Sequence, residues 1–177
     1  FCKLSGLDRL QKKEGGLMGT GVSGRYYTSH GSNRVHHEAL IHSFDGTWHL
    51  NQMTGKMRLD SGGHGQSALD YMQKNGISYN IVKTFPNGVR VGNVPSSSNK
   101  QKKKGTGMSW FPKNWSTKDM VRAGEHVAGL KCNRGARDGE TIWGTWKGVR
   151  VGVIKTHGQI ATVFPDNRYQ PKGRTRR

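Results

Sequence analysis

At 177 residues the chain has room for one domain with its own core, or for one domain behind an N-terminal extension, and for nothing larger. Lys+Arg outnumber Asp+Glu 29 to 11, a formal net charge of +18, and mean hydropathy is -0.79, so a polyanion, nucleic acid first among them, is the expected partner. No apolar run approaches the roughly 20 residues that a helical membrane span needs, and Phe1-Cys2-Lys3 does not begin a signal peptide.

The charge is uneven. Residues 1–60 carry 8 Lys/Arg and 5 Asp/Glu, a net of +3, whereas residues 61–177 carry 21 and 6, a net of +15. Such a surface also suits an acidic protein partner or non-specific attachment to a membrane. The 26 glycines and 32% hydrophobic content indicate a loop-rich β or α+β domain. Cys2 and Cys132 match no metal spacing and are left as either a pair or two free thiols. A chain that starts at Phe1 without a methionine reads as a released C-terminal piece or a trimmed one.

In chain order, Leu4, Leu7 and Leu10 predict a short helix, followed by a Gly-rich stretch at 15–21 that lacks the Lys and the helix of a phosphate loop and reads as a linker. Residues 25–60 hold five of the eight histidines: His30, His36, His37, His42 and His49. The spacings of His37 and His36 to His42 do not share a helical face, and no cysteine joins them, so no metal centre is predicted. Residues 47–53 alternate as a strand with Trp48 and Leu50 on one face, between turns at Asp45-Gly46 and Thr54-Gly55.

Ser61-Gly62-Gly63-His64-Gly65-Gln66 is the stretch where chemistry is expected. Glycines on both sides allow positive φ and a close ligand, so the imidazole would be presented at a surface. A solvated turn is the plainer explanation for this histidine taken alone. A helix is predicted from Ser67, capped through Asp70, with Ala68, Leu69 and Met72 as its apolar stripe and Asn75-Gly76 as its end. Strands at 78–83 and 88–94 follow, joined by the hairpin turn Phe85-Pro86-Asn87-Gly88.

Residues 95–107 are polar, basic and expected to be flexible, and Lys100, Lys102, Lys103 and Lys104 come shortly before Trp110, Phe111 and Trp115. Lysines can meet backbone phosphates and aromatic faces can stack unpaired bases, at about 1–3 kcal/mol per base. A solvated loop for the lysines and core packing for the aromatics are the competing explanations. Ser116-Thr117-Lys118-Asp119 starts a capped helix whose apolar face is Met120, Val121, Val127, Ala128 and Leu130; His126 within it reads as structural or surface. Strands at 140–146, 148–155 and 159–164 follow, with turns at Lys147-Gly148 and His157-Gly158, then a basic tail. Gly88-Val89-Arg90-Val91-Gly92 recurs as Gly148-Val149-Arg150-Val151-Gly152, which predicts two strands of one sheet, each projecting an Arg opposite its valines.

Five ordered blocks carry a resemblance: Gly62-Gly63-His64-Gly65-Gln66; residues 87–95; Gly105-Thr106-Gly107-Met108-Ser109-Trp110-Phe111-Pro112; Gly124-Glu125-His126-Val127-Ala128; and residues 148–154 through Thr162-Val163-Phe164-Pro165-Asp166. Together they resemble the bacterial EndoU nucleases, which commonly form the C-terminal modules of contact-dependent and polymorphic toxins. The resemblance spans about residues 61–167, which makes 61–177 a nuclease domain with a basic tail and 1–60 an extension or linker.

What the resemblance implies is an α+β fold, helices packed on a strongly curved antiparallel sheet, of the kind shared by EndoU, barnase and colicin-type ribonucleases. It further implies metal-independent cleavage of RNA, tRNA among the candidates, with no cofactor. A base takes the proton of a ribose 2′-hydroxyl, that oxygen attacks the adjacent phosphate, and an acid protonates the departing 5′-oxygen, leaving a 2′,3′-cyclic phosphate. A cation or hydroxyl stabilises the phosphorane. By position, His64 is one catalytic histidine. Thr162 and Phe164 fall on the Thr-x-aromatic-Pro strand that relatives set near the scissile phosphate and base, although Phe164 lacks the phenol of the Tyr often found there. The residues expected to bind RNA are Lys100, Lys102, Lys103, Lys104, Trp110, Arg150 and Phe164. RNA and an acidic immunity protein are the expected partners, and the expected route is delivery into a target-cell cytoplasm as the C-terminal part of a larger toxin.

The family pattern implies a second histidine two residues after Pro95, where this chain has Ser97. Serine does not transfer a proton near neutral pH. Three readings stay open: Ser97 inactivates the protein, the second histidine is His126 or His157, or another group such as Lys155 serves. A chain without the acid/base pair would be a non-catalytic module that binds RNA or an immunity protein.

Overall fold

The computed structural model describes residues 33–173. Cys2, the helix predicted at Leu4–Leu10 and the Gly-rich stretch after it lie outside them. In chain order the described elements are α1 (His37–Phe44), β1 (Thr47–Asn51), β2 (Lys56–Ser61), α2 (Gln66–Lys74), β3 (Asn80–Thr84), β4 (Arg90–Asn93), β5 (Met108–Trp110), α3 (Thr117–Gly129), β6 (Thr141–Trp146), β7 (Val149–Thr156) and β8 (Gln159–Pro165). Short 3-10 turns occupy Lys100–Lys103 and Lys131–Asn133. The architecture is α+β. Its strands are all antiparallel and are divided among a β1–β2 hairpin, a β3–β4–β5 sheet and a β6–β7–β8 sheet.

Local chemistry accounts for most of the elements. Ser116 caps α3 by accepting the Asp119 N–H, and the Asp119 carboxylate accepts the Ser116 N–H, so two orphan donors of the first turn are satisfied reciprocally. The β6–β7 and β7–β8 hairpins close on Lys147-Gly148 and His157-Gly158, with positive φ at both positions of each turn (45° and 73°, 52° and 72°), the geometry that matches the twist of paired strands. The expected cap of α2 is different. The helix starts after Gly65 with no side-chain cap, because the Ser67 hydroxyl donates to the carboxylate of Asp45 at the C-terminal end of α1.

Two cores form. One joins α1 and α3 to the β6–β7–β8 sheet through Ala39, Phe44, Val121, Val127, Val151 and Val163, and reaches Val89, Val91 and Phe111. The other packs α2 on β2, the end of β4 and β5 through Leu59, Leu69, Met72, Val94, Met108 and Trp110. The boundary expected at residue 60 therefore falls inside β2, and residues on both sides of it share both cores.

The repeated Gly-Val-Arg-Val-Gly segments do not lie in one sheet: β4 pairs with β3 and β5, and β7 with β6 and β8. Their arginines also differ. Arg90 is buried, its guanidinium donating to the Gln66 side chain and the Phe111 carbonyl, whereas Arg150 is half-exposed on the outer face of its sheet. Neighbouring strand context, absent from the five-residue pattern, decides which face meets solvent.

Candidate active site

The Gly-rich loop is shaped by the end of α1. Amides of Gly63, His64 and Gly65 donate to the carbonyls of His42, Ser43 and Phe44 (3.1, 2.7 and 2.9 Å), supplying partners that the last turn of a helix lacks. The approach is close. Gly62 has φ +65°, and a Cβ there would lie 1.8 Å from the His42 carbonyl oxygen and 3.3 Å from Cε1 of the His42 ring. The glycines thus serve a backbone contact, and the imidazole of His64, expected at a surface, is 7% exposed.

His64 is held from several sides. Its Nδ1 lies 2.7 Å from the Ser109 carbonyl, its own carbonyl accepts the Phe111 N–H at 2.8 Å, and its ring centroid is 5.7 Å from that of Phe164. A carbonyl only accepts, so Nδ1 carries the proton and Nε2 keeps its lone pair. Burial, then the Lys102 charge, hold the pKa well below 6.5, against the opposing pull of the Ser109 carbonyl. His64 is therefore neutral at physiological pH.

Two further titratable groups meet at Gly62. The His42 ring packs against it from the last turn of α1, with Nδ1 2.9 Å from the Thr47 hydroxyl, and burial followed by the Lys102 charge lowers its pKa. Lys102 is buried, donates from Nζ to the Gly62 carbonyl at 2.7 Å, and has its pKa brought down to about 8 by desolvation. His42 and Lys102 thus both contact Gly62, and the His64 imidazole two residues on is close enough to both for their charges to lower its pKa. They offer a lone pair that can take a proton, a second imidazole that can give one, and a positive charge at neutral pH.

The other expected site residues separate into groups. Phe164 abuts His64, and Thr162 is on the same face of β8, two residues earlier. Lys100 and Lys104 line an open cleft, and Lys103 is exposed. Lys102 is turned inward, so its expected role as a surface phosphate contact gives way to a place among the histidines. Trp110 is fully buried beside Tyr79, and its indole face is not offered to a base. Ser97 is fully buried too; its hydroxyl donates to the Leu59 carbonyl at 2.7 Å and accepts the Asn99 N–H at 3.1 Å, which closes a turn. Lys155 is pinned to Asn33 at 2.7 Å and pairs with Ile160, a core residue, away from the Gly152 that lies opposite Phe164. His126 lies in the last turn of α3 and His157 at the exposed tip of the β7–β8 hairpin.

His42 is the residue that sequence reasoning missed. Spacing along one helix tests only for a shared metal face, whereas the imidazole near His42 lies across the loop. Among the described residues no group of three or more His, Cys, Asp or Glu is placed to hold a metal ion.

Beyond Phe164 opens a cleft of about 690 Å³, with Trp143, Arg150 and Phe164 on one wall and Lys100 and Lys104 on another. Trp143 meets Phe164 edge-to-face at 5.7 Å, and the Arg150 guanidinium lies 4.8 Å from the Trp143 ring while donating from Nε to Asp166 at 2.8 Å. Gly152 lies between the aromatic rings, where a Cβ would approach both to 2.8 Å.

The model of the bacterial EndoU nucleases matches residues 36–167. The chain belongs to the bacterial EndoU nuclease family. The EndoU match starts ahead of α1, so it takes in His42 and the β1–β2 hairpin as well as the Gly-Gly-His loop and the Thr-x-Phe-Pro strand. A nuclease of this family acts on nucleic acid, in keeping with a cleft lined by lysines and arginines. No helix among the described residues is long and apolar enough to cross a membrane. Comparison with curated proteins, and with solved structures, returned no match.

Proposed function

We propose that this EndoU-family protein is an endoribonuclease that cuts RNA through the ribose 2′-hydroxyl and leaves a 2′,3′-cyclic phosphate. The observation that carries the reading is the gathering of His42 and Lys102 at Gly62, beside His64. His64 is the more deeply buried imidazole, and its fixed Nε2 lone pair takes the 2′-hydroxyl proton. The freed oxygen attacks phosphorus. His42 is less buried and its pKa is lowered less than that of His64, so of the two it holds a proton more readily and gives it to the departing 5′-oxygen. Lys102, charged below about pH 8, stabilises the phosphorane. The Thr162 hydroxyl and the Phe164 ring flank the phosphate and the base.

On this reading Ser97 is a turn residue and its identity leaves the acid/base pair intact. Cleavage of RNA falls by at least about a hundredfold in His42→Ala and in His64→Ala, the usual contribution of one acid/base group. Ser97→His gains nothing, and 2′-deoxy substitution at the cut site blocks the reaction. Full activity in His42→Ala would refute the assignment; RNA binding with no cleavage by the unaltered protein would favour a non-catalytic module. The wider role is that of a toxin module delivered into a competing cell and restrained in its producer by an acidic immunity protein. The net charge of +18 supports that pairing through long-range attraction. Its test is co-expression: rescue of growth by a neighbouring acidic protein that also blocks cleavage in vitro.

A further inference from the structure

We propose that Arg150 grips a phosphate beyond the scissile one, so that the nuclease binds a substrate longer than a dinucleotide more tightly. The inference rests on the RNA reading above and adds a length-dependent binding site to it.

Arg150 is fixed more firmly than a surface arginine needs to be. Its backbone N–H donates to the Gln170 side chain at 2.9 Å and its carbonyl accepts from the same amide at 3.0 Å. The guanidinium lies against Trp143, and Nε is taken by Asp166. Asp166 is itself locked, its other oxygen accepting the amides of Arg168 and Tyr169 at 2.7 and 3.2 Å. The two Nη amino groups make no bond to protein among the described residues, and the side chain lines the open cleft. A guanidinium held by Nε and stacked on a ring presents its remaining donors as a fork, the geometry that suits two oxygens of one phosphate. The loss of rotamer freedom that would oppose binding has already occurred in folding.

The uncompensated charge in the cleft is positive. Lys100, Lys104 and Arg168 line it with Arg150, and Asp166, the carboxylate of the wall, is occupied by Arg150 and backbone amides. Position follows from three successive contacts, none longer than 5.7 Å, that lead from the His64 ring through Phe164 and Trp143 to Arg150. The fork therefore lies along the same wall as the catalytic group without touching it, where it can meet a phosphate beyond the scissile one in the same strand.

The test uses the full chain and uncleavable 2′-O-methyl oligonucleotides of two, three and four nucleotides, extended at either end, with affinity measured at fixed salt. Binding strengthens about tenfold when the added phosphate arrives, as expected for a charge-assisted bidentate contact. Arg150→Gln removes that step, and Arg150→Lys keeps only part of it because an ammonium has no fork. A neutral methylphosphonate at the added linkage removes the same step from the unaltered protein and has no further effect in Arg150→Gln, a comparison that holds whatever the substitution does to folding. An equal length dependence in Arg150→Gln, or no step with length, overturns the proposal. An Arg150-dependent step in a protein that cleaves no RNA keeps this site and sinks the ribonuclease reading; cleavage with no such step does the reverse.

Discussion

A methyl group at Gly62 would meet the His42 carbonyl at 1.8 Å on a backbone with φ +65°, so any side chain there forces the loop off the helix end. Gly62→Ala is expected to cost on the order of 2 kcal/mol or more and to abolish cleavage, since His42 and His64 are both placed by that contact. Gly105 has a similar φ of +61° but open space around it, and Gly105→Ala should cost only about 1 kcal/mol. Denaturant melts of the two variants check the difference; equal losses would show that φ alone matters. Lys102 makes the opposite trade. Its pKa is about 8 folded against an ordinary 10.5, so the unfolded chain binds more protons between those values and stability rises with pH across them, while at pH 7 the burial cost is fully present. Lys102→Met is expected to raise stability by about 1–3 kcal/mol at pH 7, less near pH 10, while abolishing cleavage. Melting temperatures at both pH values, beside an activity assay, read it out.

At the scale of elements, α3 carries a buried carboxyl. Glu125 accepts the Val35 N–H at 3.2 Å, and burial pushes its pKa up to about 7 despite that bond and the nearby Arg34. The folded protein then binds more protons than the unfolded one between the ordinary 4.5 and about 7, and stability falls as pH rises through that window. Glu125→Gln keeps an acceptor for Val35 and removes the charge, so it should stabilise by about 2–3 kcal/mol at pH 8 and by little at pH 4. A pH series of melts would expose the contrary case, an equal effect at both ends. Elements whose formation is local were legible in sequence: the Ser116–Asp119 capping box, the glycine turns of β6–β7–β8 and the Asn87-Gly88 hairpin all appear within a residue or two of expectation. Elements whose side chains answer to distant partners were not. Ser67 bonds Asp45 in place of a cap, and the basic segment expected to be flexible forms a 3-10 turn because Lys102 is drawn inward to the Gly62 carbonyl.

For the molecule as a whole, the positive field and the cleft act together on a polyanion. Lys100, Lys104, Arg150 and Arg168 line the cleft, and if each displaces one counterion from a single strand the logarithmic salt slope is about -3. Affinity for an uncleavable RNA should then fall roughly fiftyfold between 50 and 200 mM salt. A slope near zero would mean that this cleft does not hold the backbone. An acidic inhibitor of the kind proposed would be drawn by the same field, so its association should slow as salt is raised.

The sequence by itself determined the class of the molecule. Helical and strand periods, glycine turns and a capping box specify α+β elements through contacts a few residues long, and five ordered blocks pointed to a nuclease family that the match over residues 36–167 establishes. It also singled out His64. Only the tertiary structure decided what lies beside His64. Hydrogen bonds between a loop and the end of a helix bring His42 to it from 22 residues upstream, and desolvation turns Lys102 from one of a run of surface cations into a buried neighbour with an altered pKa. Burial and proximity are properties of the packed chain, which is why Ser97 and Trp110, plausible by position, are buried in structural contacts, and why the imidazole beside the glycine-flanked histidine comes from across space.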